Sequence, residues 1–278
     1  MKREMSVSGT FYPGRAIEIE RYFEHFNALY DEDNDLPDIK SRAVIVPHAG
    51  YIYSGYSANI AYRVLRKSSI KKIVVIGPSH RVGFEGVSLC DFSSYETPFG
   101  DIESADDLMY DLKKRFDLLC IASAHAEHST EVQFPFIKHY MSDVKIIELV
   151  YSHVNTSTLS SIIDFILDKE ECAVVISSDL SHFYTLSNAA RLDNICLEAI
   201  EKVDASKLHR GCEACGILGI EAMLLSAKRL SLDSLILDYR TSADASGDTE
   251  RVVGYTSVCF HAEEYILKHS ETVCGRVL

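Results

Sequence analysis

Four short β-branched runs constrain this chain most: RAVIV (42–46), KKIVVIG (71–77), KIIELV (145–150) and CAVVISS (172–178). Each is apolar at odd and even positions alike, the pattern of a strand covered on both faces. Between them lie segments of helical period, SGYSANIAYRVLRKS (54–68) after the first and TSTLSSIIDFILDKEE (156–171) before the fourth. Strand and helix in alternation predict βαβ units. The expected fold class is therefore α/β, with a central, largely parallel or mixed sheet flanked by helices.

Two regions break the rhythm. From Phe84 to Asp101 turn residues recur at short intervals, which predicts a small antiparallel insertion or edge. Near the end, DSLILDYRTSA and RVVGYTSVCF are strand-like and separated by the polar loop DASGDTE. No linker, low-complexity tract or fixed-period repeat divides the 278 residues, so one domain over 1–278 is expected.

Composition removes several classes of function. A formal charge of −13, with no stripe of Lys and Arg, would repel a phosphate backbone, so nucleic acid is not an expected partner. No run reaches the roughly 18 apolar residues of a membrane span. MKREMSVSGTFYPG carries charges with no apolar stretch behind them, so no secretory signal is expected and the predicted location is cytoplasmic. The eight cysteines fall mostly in apolar runs such as LLCIA and SVCF, where a thiol behaves as a small hydrophobe, and disulfides are not expected.

The chemistry gathers at strand ends. AVIVPHAG puts His48 directly after a strand, VVIGPSH does the same with His80, AVVISSDLSHF ends in Asp179 and His182, and IIELVYSH ends near His153. In a parallel sheet all carboxyl ends lie along one edge, where ligand crevices form. A single histidine after a strand is more often a loop residue capping backbone groups; four on separate strands argue for convergence. His153 is the weakest of them, because YSHVNTST reads as an exposed loop before a helix. Pro47 and Pro78 restrict the backbone ahead of the imidazoles, and rigid backbone suits metal coordination.

Two further segments carry candidate groups. In GCEACGILGIEAMLLSAKRL, Cys212 and Cys215 form a C-x-x-C pair, and Cys215 precedes a helical run in which the dipole would favour its thiolate. Half a zinc knuckle, a redox pair or a single ligand at Cys215 are all open readings; no second C-x-x-C supports the knuckle, and no thioredoxin-like context supports the redox pair. In HAEHSTEVQFPFI, two histidines and two carboxylates precede a run in which Pro135 suits a first helical turn. A solvated capping loop and a functional loop explain that segment equally well.

Taken together, SGTFYP, PHAGYIYSG, GPSH, TPFGD, EHSTEVQFPF, SSDLSHF, ACG, TSADASGD and VVGY, in this order over nearly the whole chain, resemble the Memo family. That family includes the prokaryotic AmmeMemoRadiSam system protein B. The resemblance implies a fold like that of LigB-type class III extradiol dioxygenases, and a metal site made by the His of PHAG, the His of GPSH and the Cys of ACG. Here these are His48, His80 and Cys215. Asp179 and His182 match the polar pair beside the pocket and His128 matches the EHS histidine; the three are the expected proton-handling groups. A thiolate stands where the dioxygenases use a hard carboxylate, which moves preference toward copper or zinc while leaving iron open. The resemblance implies redox chemistry at an iron or copper ion, and a radical-SAM protein and a companion protein of the same system as partners. It also implies one alternative, a module docking a peptide in the same pocket; a third reading, from zinc chemistry, is a hydrolase with Asp179 as general base.

Overall fold

The computed structural model describes residues 1–262; of the expected domain, residues 263–278 lie outside the described part. In chain order, β1 (Lys2–Arg3) and α1 (Ala16–Asp33) precede β2 (Ala43–Val46), α2 (Tyr51–Leu65) and β3 (Lys72–Pro78). The insertion contributes β4 (Val87–Ser88), β5 (Ser94–Tyr95) and β6 (Ile102–Glu103), followed by α3 (Asp106–Arg115). Next come α4 (His128–Glu131), α5 (Phe134–Tyr140), β7 (Lys145–Tyr151), α6 (Thr156–Leu167) and β8 (Cys172–Ser177). The chain continues through β9 (His182–Tyr184), α7 (Leu186–Glu201), α8 (Ile217–Arg229), β10 (Leu232–Thr241), α9 (Ala243–Ser246) and β11 (Val252–Ala262).

The main sheet has the order β10-β11-β2-β8-β3-β7-β4, with β9 paired to β11. Strands β2, β8, β3 and β7, the four expected runs, are parallel, while β11 joins β2, β10 joins β11 and β4 joins β7 in antiparallel sense. The sheet is thus mixed, and two-sided burial explains the unbroken apolar runs. Ile45, Val74, Ile76, Ile147 and Val174 face one core with α3, α6, α7 and α8. Their sequence neighbours Val44, Val46, Val75, Ile146 and Val175 face the other, with α1, α2 and α5. Because β8 lies between β2 and β3, the carboxyl ends carrying His48, Asp179 and His80 are adjacent on one edge.

The region from Phe84 to Asp101 is only partly an edge. Strand β4 extends the main sheet, but β5 pairs in parallel with the N-terminal β1 and antiparallel with β6 in a separate small sheet. The polar loop DASGDTE also starts in a helical turn, α9, closed by Gly247 at φ 74°.

Strand β1 delivers a buried cation. Arg3 is 5% exposed, pairs with Glu131 at 2.7 Å, and lies 3.5 Å from Glu148. Glu148 also meets His125 Nδ1 at 2.6 Å and accepts from Thr130. Glu131 accepts the backbone N–H groups of Ser6 and Val7 and the Tyr12 hydroxyl, at 2.8, 2.8 and 2.9 Å. Half of the HAEHSTE segment is therefore neither solvated loop nor active group; it fastens the N-terminal residues to α4.

The cysteines correct an expectation. Cys90 is bonded to Cys120 and Cys196 to Cys212, whereas Cys172 and Cys259 are free and buried as small hydrophobes. Apolar runs do bury thiols, but which two thiols meet is a tertiary fact that local hydrophobicity does not contain. Among the described residues no helix is long and apolar enough to cross a membrane.

Breaking a buried ion pair strands the remaining charge, so Arg3→Ala is expected to cost about 3–5 kcal/mol at neutral pH. Lys113→Ala, which removes the exposed pair with Asp91, should cost less than about 1 kcal/mol. Urea midpoints at unchanged slope measure both. Burial would raise the Glu148 carboxyl, but the charges of Arg3 and His125 outweigh it and hold the group below its usual range. A depressed folded value means the contribution is complete above the unfolded value of about 4.3 and is lost as pH falls below it. The penalty of Arg3→Ala should accordingly shrink in acid; a penalty that grew would contradict the assignment.

Candidate metal centre

Strand β2 ends at Val46, and Pro47 turns the chain so that His48, 1% exposed, lies at the sheet edge. Its Nδ1 is 2.9 Å from Ser177 Oγ at the end of β8. Ser177 Oγ donates to the Ser129 carbonyl and accepts from Gln133 Nε2 at 3.0 Å, so it accepts from His48 Nδ1–H as well. That chain of donors fixes the tautomer and leaves Nε2 of His48 with a free lone pair. Burial, reinforced by His80 and His128, holds the His48 pKa well below its ordinary value, so the ring is neutral.

His80 follows β3 and His128 opens α4. The two rings share one carboxylate oxygen: Glu127 Oε1 lies 3.0 Å from His80 Nδ1 and 2.8 Å from His128 Nδ1. Glu127, fully buried, also accepts the backbone N–H of His80 at 2.7 Å and of Ser129 at 3.1 Å. Burial opposes ionisation there, yet the bonds from His128 and His80 hold the carboxyl well below the usual range. With Nδ1 of each ring donating to Glu127, Nε2 of each is the available ligand atom. Gly77 permits the approach of β3 to α4, because a Cβ there would lie 2.6 Å from Ser129 Oγ and 2.8 Å from Thr130 Cγ2.

His48, His80 and His128 each place a ligand atom within 4.8 Å of the others. Their ring centroids are 5.2, 5.3 and 4.5 Å apart, and Phe11 stacks on His128 at 4.6 Å. The sequence reading gave His128 a proton-handling role; the geometry places its ring beside those of His48 and His80.

Cys215 touches one member of this group. Its Sγ is 3.2 Å from His48 Nε2 and receives the Asp179 backbone N–H at 3.3 Å. The thiol stands two residues before α8, but the expected dipole effect loses. Burial, followed by the neighbouring Asp179 carboxylate, pushes the thiol up to about 12. Gly216 lets the loop reach Ser178, since a Cβ there would lie 2.6 Å from the Ser178 Cβ.

Asp179 Oδ1 accepts the His48 backbone N–H at 2.7 Å, and its other oxygen is 4.0 Å from His48 Nε2. Burial raises its pKa against the pull of the His48 bond and the nearby imidazoles. His182, on β9, is half-buried and faces Asp179 closely enough to lower that pKa by its charge. His153 does not join: it is exposed, and its backbone N–H donates to the Phe84 carbonyl at 2.9 Å.

The family described as Memo-like protein matches residues 3–259. The chain belongs to the Memo family. A MEMO1 family protein of Aquifex aeolicus is 32% identical over 269 residues, covering 93% of this chain and 98% of the relative. One from Methanobrevibacter smithii is 33% identical over 282 residues, covering 94% and 100%, and one from Sulfolobus acidocaldarius is 31% identical over 283 residues, covering 94% and 99%. In this Memo-family chain the sequence reading missed the role of Glu127 and the stacking of Phe11. Glu127 lay in plain view beside His128, but only the fold shows that it also reaches His80.

Glu127→Ala frees both rings to rotate, and metal affinity should fall by about 10- to 100-fold, as for other carboxylates that orient ligating imidazoles. Calorimetric titration with a divalent transition metal measures it; an unchanged affinity would remove Glu127 from the site.

Proposed function

We propose that this Memo-family protein holds a single transition-metal ion at His48, His80 and His128, with Cys215 as a further ligand, and uses it for redox chemistry on a substrate at the carboxyl edge of the sheet. The observation that carries the reading is the convergence of three oriented imidazoles beside a thiol 3.2 Å from one of them. Ligands about 2.0 to 2.3 Å from one ion stand roughly 3 to 4 Å from each other, which the His48–Cys215 pair satisfies. Nitrogen and sulfur donors suit iron, copper or zinc better than hard cations, and iron or copper is our choice for the working ion. The resident ion would supply electron transfer and polarise whatever oxygen atom it meets.

The chain's own groups then have separate tasks. Glu127 orients two rings, and Ser177 orients the third. Asp179, held closer to protonation by burial, is the group to give or take a proton at Oδ2, with His182 as its relay to solvent. Kinship in fold with the LigB-type dioxygenases, and partnership with a radical-SAM protein and its companion, belong to this reading. Copurification of those two proteins with the chain tests the partnership.

A second reading is favoured by a different observation. Ile52 and Tyr53, at the start of α2 just beyond His48, are 59% and 41% exposed, and Phe183, next to His182, is 62% exposed. Such apolar groups by the pocket suit a bound peptide. Elemental analysis and electron paramagnetic resonance on protein purified without added metal separate the two; peptide binding undisturbed by a full complement of metal would favour the docking module.

Ligation by Cys215 has a proton signature. Burial keeps His48 neutral, whereas a thiol raised to about 12 keeps its proton at pH 8. Metal binding at pH 8 should therefore release about one proton more from the wild-type protein than from Cys215→Ser. Calorimetry in buffers of different ionisation enthalpy counts it. Equal release from the two proteins would restrict the ion to the imidazoles.

A further inference from the structure

His48, His80 and Asp179 come directly off the central strands β2, β3 and β8, and His128 sits on a helix fastened by the Arg3–Glu131 pair. Cys215 differs, because it lies on the connection between α7 and α8. That connection runs through the 3-10 turn Ala205–Arg210 and Gly211, which adopts φ 122°. One covalent brace holds it. Cys212 is bonded to Cys196 of α7, three residues before the thiol that meets His48.

Beyond the brace, Leu208 and Ala214 pack into the core, the Tyr184 hydroxyl donates to Glu213 at 2.6 Å, and the rest is backbone bonding. The Cys215 backbone N–H donates to the Asp179 carbonyl at 3.3 Å, and the Gly216 N–H donates to Ser178 Oγ at 2.9 Å. Upstream, the Cys212 N–H bonds the Leu208 carbonyl at 3.0 Å. Gly211 and Glu213 on either side of Cys212 are exposed, so a small outward movement of the loop opens the disulfide to a reductant.

We infer that the Cys196–Cys212 disulfide is a redox-sensitive brace that sets whether Cys215 stands at the metal site. The inference rests on the metal-site reading above and adds its regulation. Reduction by a thiol reductant passes two electrons and two protons to the sulfurs of Cys196 and Cys212 and leaves the reductant as its own disulfide. The connection then keeps its hydrogen bonds and the packing of Leu208 and Ala214 but loses the covalent tie that holds the Cys215 sulfur beside His48 Nε2. The oxidised protein offers three imidazoles and a sulfur; the reduced protein offers the imidazoles with a thiol that has lost that tie. The C-x-x-C pair serves neither as half a zinc knuckle nor as an internal disulfide: one cysteine positions and the other ligates.

The test uses cobalt(II) on the whole protein, oxidised or reduced with a phosphine that is removed anaerobically before titration. In that reduction the phosphine takes the oxygen of water to become its oxide, and the two cysteines take the electrons and protons. The oxidised protein should show a thiolate-to-cobalt charge-transfer band. Reduction should weaken the band and lower cobalt affinity by about 10- to 100-fold, the range for losing a group that positions a ligand. Reoxidation should restore both. In Cys215→Ser, affinity should not respond to redox state. A Cys90→Ala/Cys120→Ala variant, which keeps the brace but lacks the other disulfide, should respond like the wild type. If that variant does not fold, circular dichroism of the reduced wild-type protein answers the same question, because an intact fold excludes general unfolding as the cause of weaker binding. Equal band and affinity in the oxidised and reduced wild-type protein would overturn the inference and leave the metal site standing. Absence of cobalt binding in both states would overturn the site and the inference together.

Discussion

A single buried carboxylate oxygen organises the site. Glu127 Oε1 accepts from two imidazoles that arrive on different elements, while its partner oxygen accepts the backbone N–H of His80. An ionised carboxylate without contact to water is costly unless its lone pairs are filled by donors, and here they are. The requirement works in both directions. The rings keep the charge tolerable, and the charge keeps each ring with Nδ1 protonated and Nε2 free. Moving either histidine would leave a buried anion short of donors, so the end of β3 and the start of α4 are held in one geometry.

The N-terminal residues support that geometry from behind. Glu131 stands one turn after His128 and gathers Arg3, Ser6, Val7 and Tyr12, which places Phe11 against the His128 ring. SGTFYP is thus a structural part of the site, although it contributes no ligand atom. On the opposite side, Asp193 of α7 accepts from the Ser181 backbone N–H at 2.9 Å and from the Tyr239 hydroxyl at 2.9 Å. It thereby fixes the loop that carries Asp179 and His182.

How much of this could be read from the chain follows the range of each interaction. The four parallel strands were legible because two-sided burial writes itself locally, as apolar residues on both parities. His48, His80 and Asp179 were legible because a parallel sheet sends its carboxyl ends to one edge whatever the strand order. The order itself, with β8 inserted between β2 and β3, was not legible, and neither was the pairing of β11 with β2, whereas the antiparallel edge at β4 was expected from the turn residues around it. The disulfides were missed for the same reason: burial of Cys90 and Cys196 follows from their neighbours, whereas proximity to Cys120 and Cys212 does not. The expected lowering of the Cys215 thiol failed on magnitude. The helix dipole acts over the first turn of α8 and is worth about 1 kcal/mol, too little against burial beside a carboxylate.

Charge balance links these details to what the pocket can hold. With His48 neutral and the Cys215 thiol and Asp179 carboxyl both shifted toward their protonated forms, Glu127 is the anion that the site keeps ionised. A divalent cation would leave such a pocket with an excess of positive charge, and a desolvated excess is unfavourable. The thiol and Asp179 are the two groups able to remove it, each by losing one proton. Both shifts come from the protein's own groups, and a cation a few ångströms away would oppose them, because it stabilises the very anions that burial disfavours. The protonated pocket and the metal-loaded pocket are therefore two charge states of one arrangement, and the protons given up on loading come from the two groups that stand beside His48.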